Sequence, residues 1–578
     1  MAGRRIVGGG ITHAASRSWP KARRRRCAAF ILALLAIALI RTVGAGGTVA
    51  EEVHHDDYRF EDGIVAFFSR VGNVARYREG DEVLFLARES AHTFASRGGA
   101  TISVLDGGRR LRVEAATGQT RLAERVELYR EEEVRFHNGK VRLAGTLLLP
   151  PGAGPHPAVV FAEGAGRTTR HGFGRILADH FARQGIAVLV YDKRGAGEST
   201  GSYGGIIRDY GALAEDLLAG VRMLQSRPDI DTRRIGVRGT SEGGWVVALA
   251  AARSRGIAFV IGVSAPARPG PNGVWEMQNK LRDAGVAEDA RDTMVLASTQ
   301  VIAVVRLLGL LPECCRAESF PEAEWERVRQ PVLLLYGELD KQVPPALSAR
   351  TLSGALRRGG NQNHVVRAFP QANHAIALAE RGFESEMRSA VAVRFAPGYL
   401  ETMVTWIQAQ LRRESVPADH GWIPGTVEPL PEVEHPPWHA HPAFQLSLWA
   451  VLLAVFSATC AAPLVRRLVR PPPDASEVDP EVRRVRRLAV VVSGAYLAVA
   501  AGLIAVLAQF GAGQPLSALW TALRVVALAS VLLAVTLVAL SARTWSRRWP
   551  GRARLRHTAV TVAAVAFVPL LGYWNLLA

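Results

Sequence analysis

Between residues 155 and 370 the chain alternates two textures. Short, largely apolar runs occur at Pro157–Phe161, Ile186–Tyr191, Ile235–Val237, Ala258–Val263, Val332–Tyr336 and His364–Phe369. Amphipathic stretches separate the first of them: Gly174–Gln184, then Tyr210–Gln225, where Leu213, Leu217, Val221 and Leu224 recur at helical spacing. Runs this short and this uniformly apolar predict strands buried on both faces, and their alternation with helices predicts a parallel sheet covered by helices on either side. Chemistry on such a sheet belongs at the carboxyl ends of its strands.

The texture changes on both flanks. Residues 51–133 carry short Val/Leu/Phe runs broken by Gly98-Gly99 and Asp106-Gly107-Gly108, which predicts a small β-rich domain ahead of a larger one spanning 134–412. Within the larger domain an insertion at about 267–328 reads as helical, strongly apolar over Val301–Leu311, and is expected to form a lid. Residues 413–443, rich in Pro, His and Trp, read as a semi-rigid connector. Four apolar stretches follow within 444–578, at 444–465, 488–509, 519–541 and 558–577. Each is near the ~20 residues that cross a ~30 Å hydrocarbon core, so a four-helix transmembrane region is expected. At the other end, Cys27–Ile40 follows Arg23–Arg26, and residues 1–50 read as a signal peptide or a short anchor.

The formal charge of +18, from 70 Lys+Arg against 52 Asp+Glu, suggests a nucleic-acid binder until its distribution is mapped. Nine basic and no acidic residues precede position 51, and 14 basic against 4 acidic follow position 443. The 47 basic and 48 acidic residues between them nearly cancel, so no basic groove is expected and nucleic acid is rejected as a partner. The excess lies beside the apolar segments. Arg466, Arg467, Arg470, Arg483, Arg484, Arg486 and Arg487 fall between the first two, and Arg543, Arg547, Arg548, Arg552, Arg554 and Arg556 between the last two. Arg-rich loops stay cytoplasmic, which predicts a multi-pass cell-membrane protein with residues before 444 on the extracytoplasmic face, in a layout that suggests a bacterial envelope.

Ser241 lies in Gly239-Thr240-Ser241-Glu242-Gly243, directly after one apolar run and before an Ala/Val-rich helical run. Strand, Gly-bounded Ser, helix is the pattern of a nucleophile elbow: a sharp turn lifts the hydroxyl above the sheet, and small neighbours let the backbone make it. A serine hydroxyl needs a base, and the base needs a carboxylate to hold its tautomer. Past the next-to-last strand comes Tyr336-Gly337-Glu338-Leu339-Asp340-Lys341-Gln342-Val343-Pro344, and past the last comes Phe369-Pro370-Gln371-Ala372-Asn373-His374. Asp340, with Glu338 as its rival, and His374 therefore stand where they could converge on Ser241.

With these motifs together, residues 134 to 412 resemble the α/β-hydrolase superfamily, in the bacterial esterase, dienelactone-hydrolase or serine-aminopeptidase-like branch with a YDKRGxGxS loop (Tyr191–Ser199 here), a GxSxGG elbow and a GxxDxxVP acid turn. The resemblance implies Ser241 as nucleophile, Asp340 as carboxylate and His374 as base. It implies an oxyanion hole from the backbone N–H of Glu242 and of the Gly164-Ala165 turn, and no cofactor or metal. Relatives usually carry His-Gly where this chain has Glu163-Gly164, a carboxylate expected to alter the loop or repel an anionic substrate.

Competing readings surround these residues. Asp192 reads as a structural Asp–Arg turn, and Arg170 and His171 as a solvated loop. Adjacent Cys314 and Cys315 suit neither a mutual disulfide nor a metal site, and His435, His439 and His441 lack metal-ligand spacing. The expected function is a membrane-tethered serine esterase acting on a small-molecule or lipid-like acyl substrate. A serine peptidase or amidase is the alternative, and a non-catalytic sensing or binding protein the next.

Overall fold

The computed structural model describes residues 53–203, 209–283, 321–383, 392–412, 442–469, 479–511, 517–547 and 553–574, with a few single positions besides. The N-terminal segment 1–50, Val301–Leu311, Cys314, Cys315, and the connector with His435, His439 and His441 lie outside the described residues.

Eight short strands open the described chain: β1 (Val53–Phe60), β2 (Val65–Val71), β3 (Val74–Glu79), β4 (Glu82–Arg88), β5 (Thr93–Ser96), β6 (Thr101–Leu105), β7 (Arg110–Glu114) and β8 (Thr120–Val126). Each pairs antiparallel with the next, and β8 returns to β1, so the sheet closes as an up-and-down barrel. Closure removes the exposed strand edges that an open sheet would leave. Alternation along β2 does two jobs. Phe68 points inward to join Tyr58, Phe94 and Leu111 in the barrel core, and Phe67 points outward into the core of the next domain.

The second sheet has eight strands: β9 (Arg130–Asn138), β10 (Val141–Leu149), β11 (His156–Ala162), β12 (Ala187–Tyr191), β13 (Ile230–Thr240), β14 (Val260–Val263), β15 (Val332–Gly337) and β16 (His364–Phe369). Their spatial order is β9-β10-β12-β11-β13-β14-β15-β16, antiparallel only where β10 meets β9 and β12. Helices α1 (Gly174–Arg183), α2 (Tyr210–Gln225), α3 (Glu242–Arg253), α4 (Pro269–Asp283), α5 (Pro321–Trp325), α6 (Pro345–Arg358) and α7 (Tyr399–Arg412) connect and flank the strands. Side chains alternate between two cores: Leu334 packs with Leu217, Val247 and Leu352, while Leu333 and Leu335 pack with Ile176, Phe181 and Met403. That two-sided burial, worth about 2 kcal/mol for each fully buried leucine, is why the run reads as uniformly apolar. A last short strand, β17 (Ala392–Arg394), leaves this domain and pairs with β4 of the barrel.

Residues Phe456–Leu571 form a separate compact unit. Its helices are most of α8 (Pro442–Val469), then α9 (Pro480–Gly511), α10 (Ser517–Thr544) and α11 (Ala553–Tyr573). Among the described residues three are long and apolar enough to cross a membrane, Pro480–Val506, Leu519–Thr544 and Ala553–Tyr573, against the four spans expected. The first expected stretch is a helix whose apolar part, Ser447–Pro463, is shorter. The rings of Phe456, Tyr496 and Phe567 pack together in tilted and edge-to-face contacts, with the Tyr496 and Phe567 ring centroids 4.5 Å apart. Leu532, Val535 and Val562 face outward, more than half exposed, as a lipid-facing surface would be.

Candidate active site

Ser241 is the single residue between β13 and α3, with φ 53° and ψ −119°, a backbone conformation that disfavours any side chain. Two glycines make the turn sterically feasible. A Cβ on Gly239 would lie 2.1 Å from the carbonyl oxygen of Gly243, and one on Gly243 would lie 2.1 Å from that of Ala162. Backbone hydrogen bonds hold the strained residue: Ser241 N–H donates to Val263 O and Gly244 N–H to Ser241 O, both at 2.8 Å.

Asp340 is buried in the turn after β15. Its Oδ1 accepts from the N–H groups of Gln342 and Val343, each at 2.8 Å, and its Oδ2 lies 2.8 Å from Nδ1 of His374. A carboxylate held in this way places the imidazole proton on Nδ1 and the basic lone pair on Nε2. The rival Glu338 is exposed. Ser264, buried at the end of β14 with φ 48°, donates its hydroxyl to the carbonyl of His374 at 2.9 Å. Thr240, Val263, Leu335 and Arg367 form one row across β13 to β16, and Ser241, Asp340 and His374 follow that row by one, five and seven residues. All three emerge at the carboxyl edge of the sheet.

Beside the elbow, the loop after β11 carries Glu163, Gly164 and Ala165. A Cβ on Gly164 would lie 3.5 Å from the Cβ of Ser241, so this backbone abuts the nucleophile turn. The Glu163 carboxylate is packed against Gly174 at the start of α1, with Oε1 buried and lacking a hydrogen-bond partner. Burial raises its pKa, opposed by the charges of Arg238 and Lys193. The carboxylate that departs from His-Gly is thus buried against the first residue of α1. Glu242, whose N–H is the other candidate donor, is buried at the head of α3.

The residues read as competing candidates have structural partners. Asp192 accepts from Arg170 N–H and Glu198 N–H, each at 2.8 Å, and from the Arg170 guanidinium; Arg194 of the same loop binds Asp216 at 2.6 and 2.7 Å. Arg170 is buried, not solvated, and His171 meets His55 of the barrel at 3.0 Å. In the 267–328 insertion, Trp275 of α4 donates to the carbonyl of Asp340 at 3.3 Å, so the insertion leaves the sheet beside the acid. Sequence reasoning gave no role to Ser264, Lys193 or Tyr203. Lys193 sat in a recognised motif, and Ser264 only in a strand end. Among the described residues no group of three His, Cys, Asp or Glu is arranged to hold a metal ion. A cavity of about 730 Å³, lined by His55, Asp57, Arg125, His156 and Asp229, opens at the amino end of β11, away from Ser241.

A family model described as serine aminopeptidase, S33, matches residues 153–381. Esterase EstD of Thermotoga maritima is 27% identical over 266 residues, 44% of this chain and 62% of that protein. The quorum-quenching protein AidA of Acinetobacter baumannii is 33% identical over 129 residues, 22% of this chain and 42% of that protein. The chain therefore spans less than two thirds of the length of either relative. A solved esterase from Pyrococcus furiosus is similar at 18% identity and a TM-score of 0.34, covering 50% of this chain and 94% of that one. Residues 153–381 thus match an α/β-hydrolase family and resemble an esterase, within a chain that continues into C-terminal apolar helices.

Proposed function

We propose that the protein is a membrane-tethered serine hydrolase that cleaves carboxylic esters through an acyl-enzyme on Ser241. The observation that carries this reading is the 2.8 Å contact between His374 Nδ1 and Asp340 Oδ2, at the sheet edge from which Ser241 is lifted on a strained turn. In the proposed cycle His374 Nε2 takes the Ser241 hydroxyl proton as Oγ attacks the ester carbonyl. Backbone N–H groups of Glu242 and of the Gly164-Ala165 turn stabilise the oxyanion, and collapse expels the alcohol with the proton held on His374. Water then repeats the sequence on the acyl-enzyme, and the acid is released.

Similarity to an esterase supports ester cleavage, while the aminopeptidase description of the matched family favours a second reading, hydrolysis of peptides or amides. The Trp275 contact with Asp340 supports the 267–328 insertion as a lid selecting the acyl group, which suits a lipid-like substrate. Three apolar helices support tethering, and the Arg-rich loops favour a catalytic domain outside the cell with α8 crossing as well. A membrane-impermeant fluorophosphonate applied to intact cells is expected to label the native protein and not Ser241→Ala. Labelling retained in the variant rejects the nucleophile, and labelling seen only after lysis rejects the orientation. A matched ester and anilide of one acyl group then separates esterase from amidase.

A further inference from the structure

One buried cation joins the Gly164 loop to the head of α3, the two segments that carry the candidate oxyanion donors. Lys193, in the loop after β12, has a side chain only 8% exposed. Its Nζ donates to the carbonyl oxygen of Gly164 and, at 2.9 Å, to Oε1 of Glu242. Tyr203 makes a parallel bridge. Its hydroxyl donates to the Glu242 carboxylate, at 3.1 and 3.0 Å from the two oxygens, and accepts from the N–H of Gly166 at 3.0 Å. The Lys193 ammonium also lies 4.8 Å from the centre of the Tyr203 ring, within cation–π range.

These contacts determine where the backbone donors point. In a trans peptide the C=O and N–H are antiparallel, so drawing the Gly164 carbonyl toward Lys193 turns the N–H of Ala165 the opposite way. The N–H of the next residue, Gly166, is committed to Tyr203. The loop lies against Ser241 at Gly164, and Glu242, bearing the other donor, is tied to the same ammonium. We infer that Lys193, assisted by Tyr203, positions the oxyanion hole: it orients Ala165 N–H, rather than that of Gly164, to act with Glu242 N–H. Lys193 touches no reacting atom, so it is a positioning residue. A cation on the carbonyl end of a peptide also polarises that unit and makes its N–H a stronger donor.

The inference rests on Ser241 being the nucleophile, so the two are tested side by side in the detergent-solubilised full chain. Lys193→Met alone leaves the Glu242 carboxylate without its cation in a buried site, which threatens folding. Lys193→Met/Glu242→Gln removes both charges, and Tyr203→Phe breaks only the second bridge. Each is assayed with an ester and its thionoester, whose C=S accepts hydrogen bonds poorly. Losing one oxyanion donor lowers kcat by about 10²-fold, so the double variant is expected to lose that much on the ester with KM changed by less than about threefold. Its preference for ester over thionoester should fall in proportion, a readout that a purely structural ion pair would not move. A folded double variant with kcat within about twofold of native, or with the native ester-to-thionoester ratio, overturns the inference. Fluorophosphonate labelling of Ser241→Ala overturns the nucleophile instead, so the two failures are distinguishable.

Discussion

Asp340 uses both carboxylate oxygens in ways an amide cannot match. Two backbone N–H groups saturate Oδ1, and the imidazole N–H occupies Oδ2. Asp340→Asn keeps the shape but offers an NH₂ where His374 needs an acceptor, which favours the wrong tautomer. Loss of kcat by about 10⁴-fold, with unchanged circular dichroism and little change in KM, is the expected outcome. A loss below about tenfold would show that Asp340 does not set the tautomer of a catalytic His374. At this scale Ser241, Asp340 and His374 were legible, because each follows a recognisable apolar strand. Asp340 was preferred to Glu338 on the acid-turn motif, since both occupy the same turn, and the structure separates them by burial and by the His374 contact. The role of Lys193 was hidden. Its partners lie 29 and 49 residues away, and no local pattern announces that they meet.

Among elements, the β13–α3 elbow tolerates little added volume. Gly243→Ala would put a methyl group 2.1 Å from the Ala162 carbonyl, so α3 must move away from β11. A destabilisation of about 1–3 kcal/mol and loss of fluorophosphonate labelling are expected in a thermal-shift and labelling assay. Gly273→Ala in α4, where an added Cβ meets nothing within 4 Å, is the control and should be neutral or stabilising. Native-like labelling in Gly243→Ala would show that the elbow relaxes more readily than its packing implies. The parallel strands were legible because burial on both faces leaves uniformly apolar runs. The barrel's closure was not, because pairing of β8 with β1, and of β17 with β4, joins segments whose spacing carries no register information.

For the molecule as a whole, a buried charge network joins the barrel to the hydrolase sheet. Asp179 of α1 binds Arg78 of β3, Arg183 at 3.0 Å and the Tyr129 hydroxyl at 3.0 Å. Burial opposes ionisation of Asp179, but Arg78 and Arg183 hold its pKa below the usual carboxylate range. Asp57 of β1 shares the same arginine, and burial together with the charge of Asp179 pushes its pKa up to about 8. Asp57 therefore keeps a proton in the folded chain that the unfolded chain releases near pH 4, so stability should fall as pH rises from there toward 8. Asp57→Asn removes that proton exchange. Its thermal midpoint should drop less between pH 6 and pH 9 than that of the native protein, and an equal drop would assign the pH sensitivity elsewhere.

Local spacing by itself determined the class of the central sheet, the order Ser, Asp, His along the chain, and the concentration of positive charge beside the apolar segments. Each is a property of neighbours in sequence: two-sided burial, a strand-to-helix turn, and charges flanking a membrane-length run. Only the tertiary structure decided that the leading strands close into a barrel, that Asp340 rather than Glu338 meets the imidazole, that Glu163 is buried beside α1, and that Lys193 bridges the elbow and the loop opposite it. Those outcomes depend on which distant segments share a desolvated space, where an unpaired polar group costs several times what a paired one contributes.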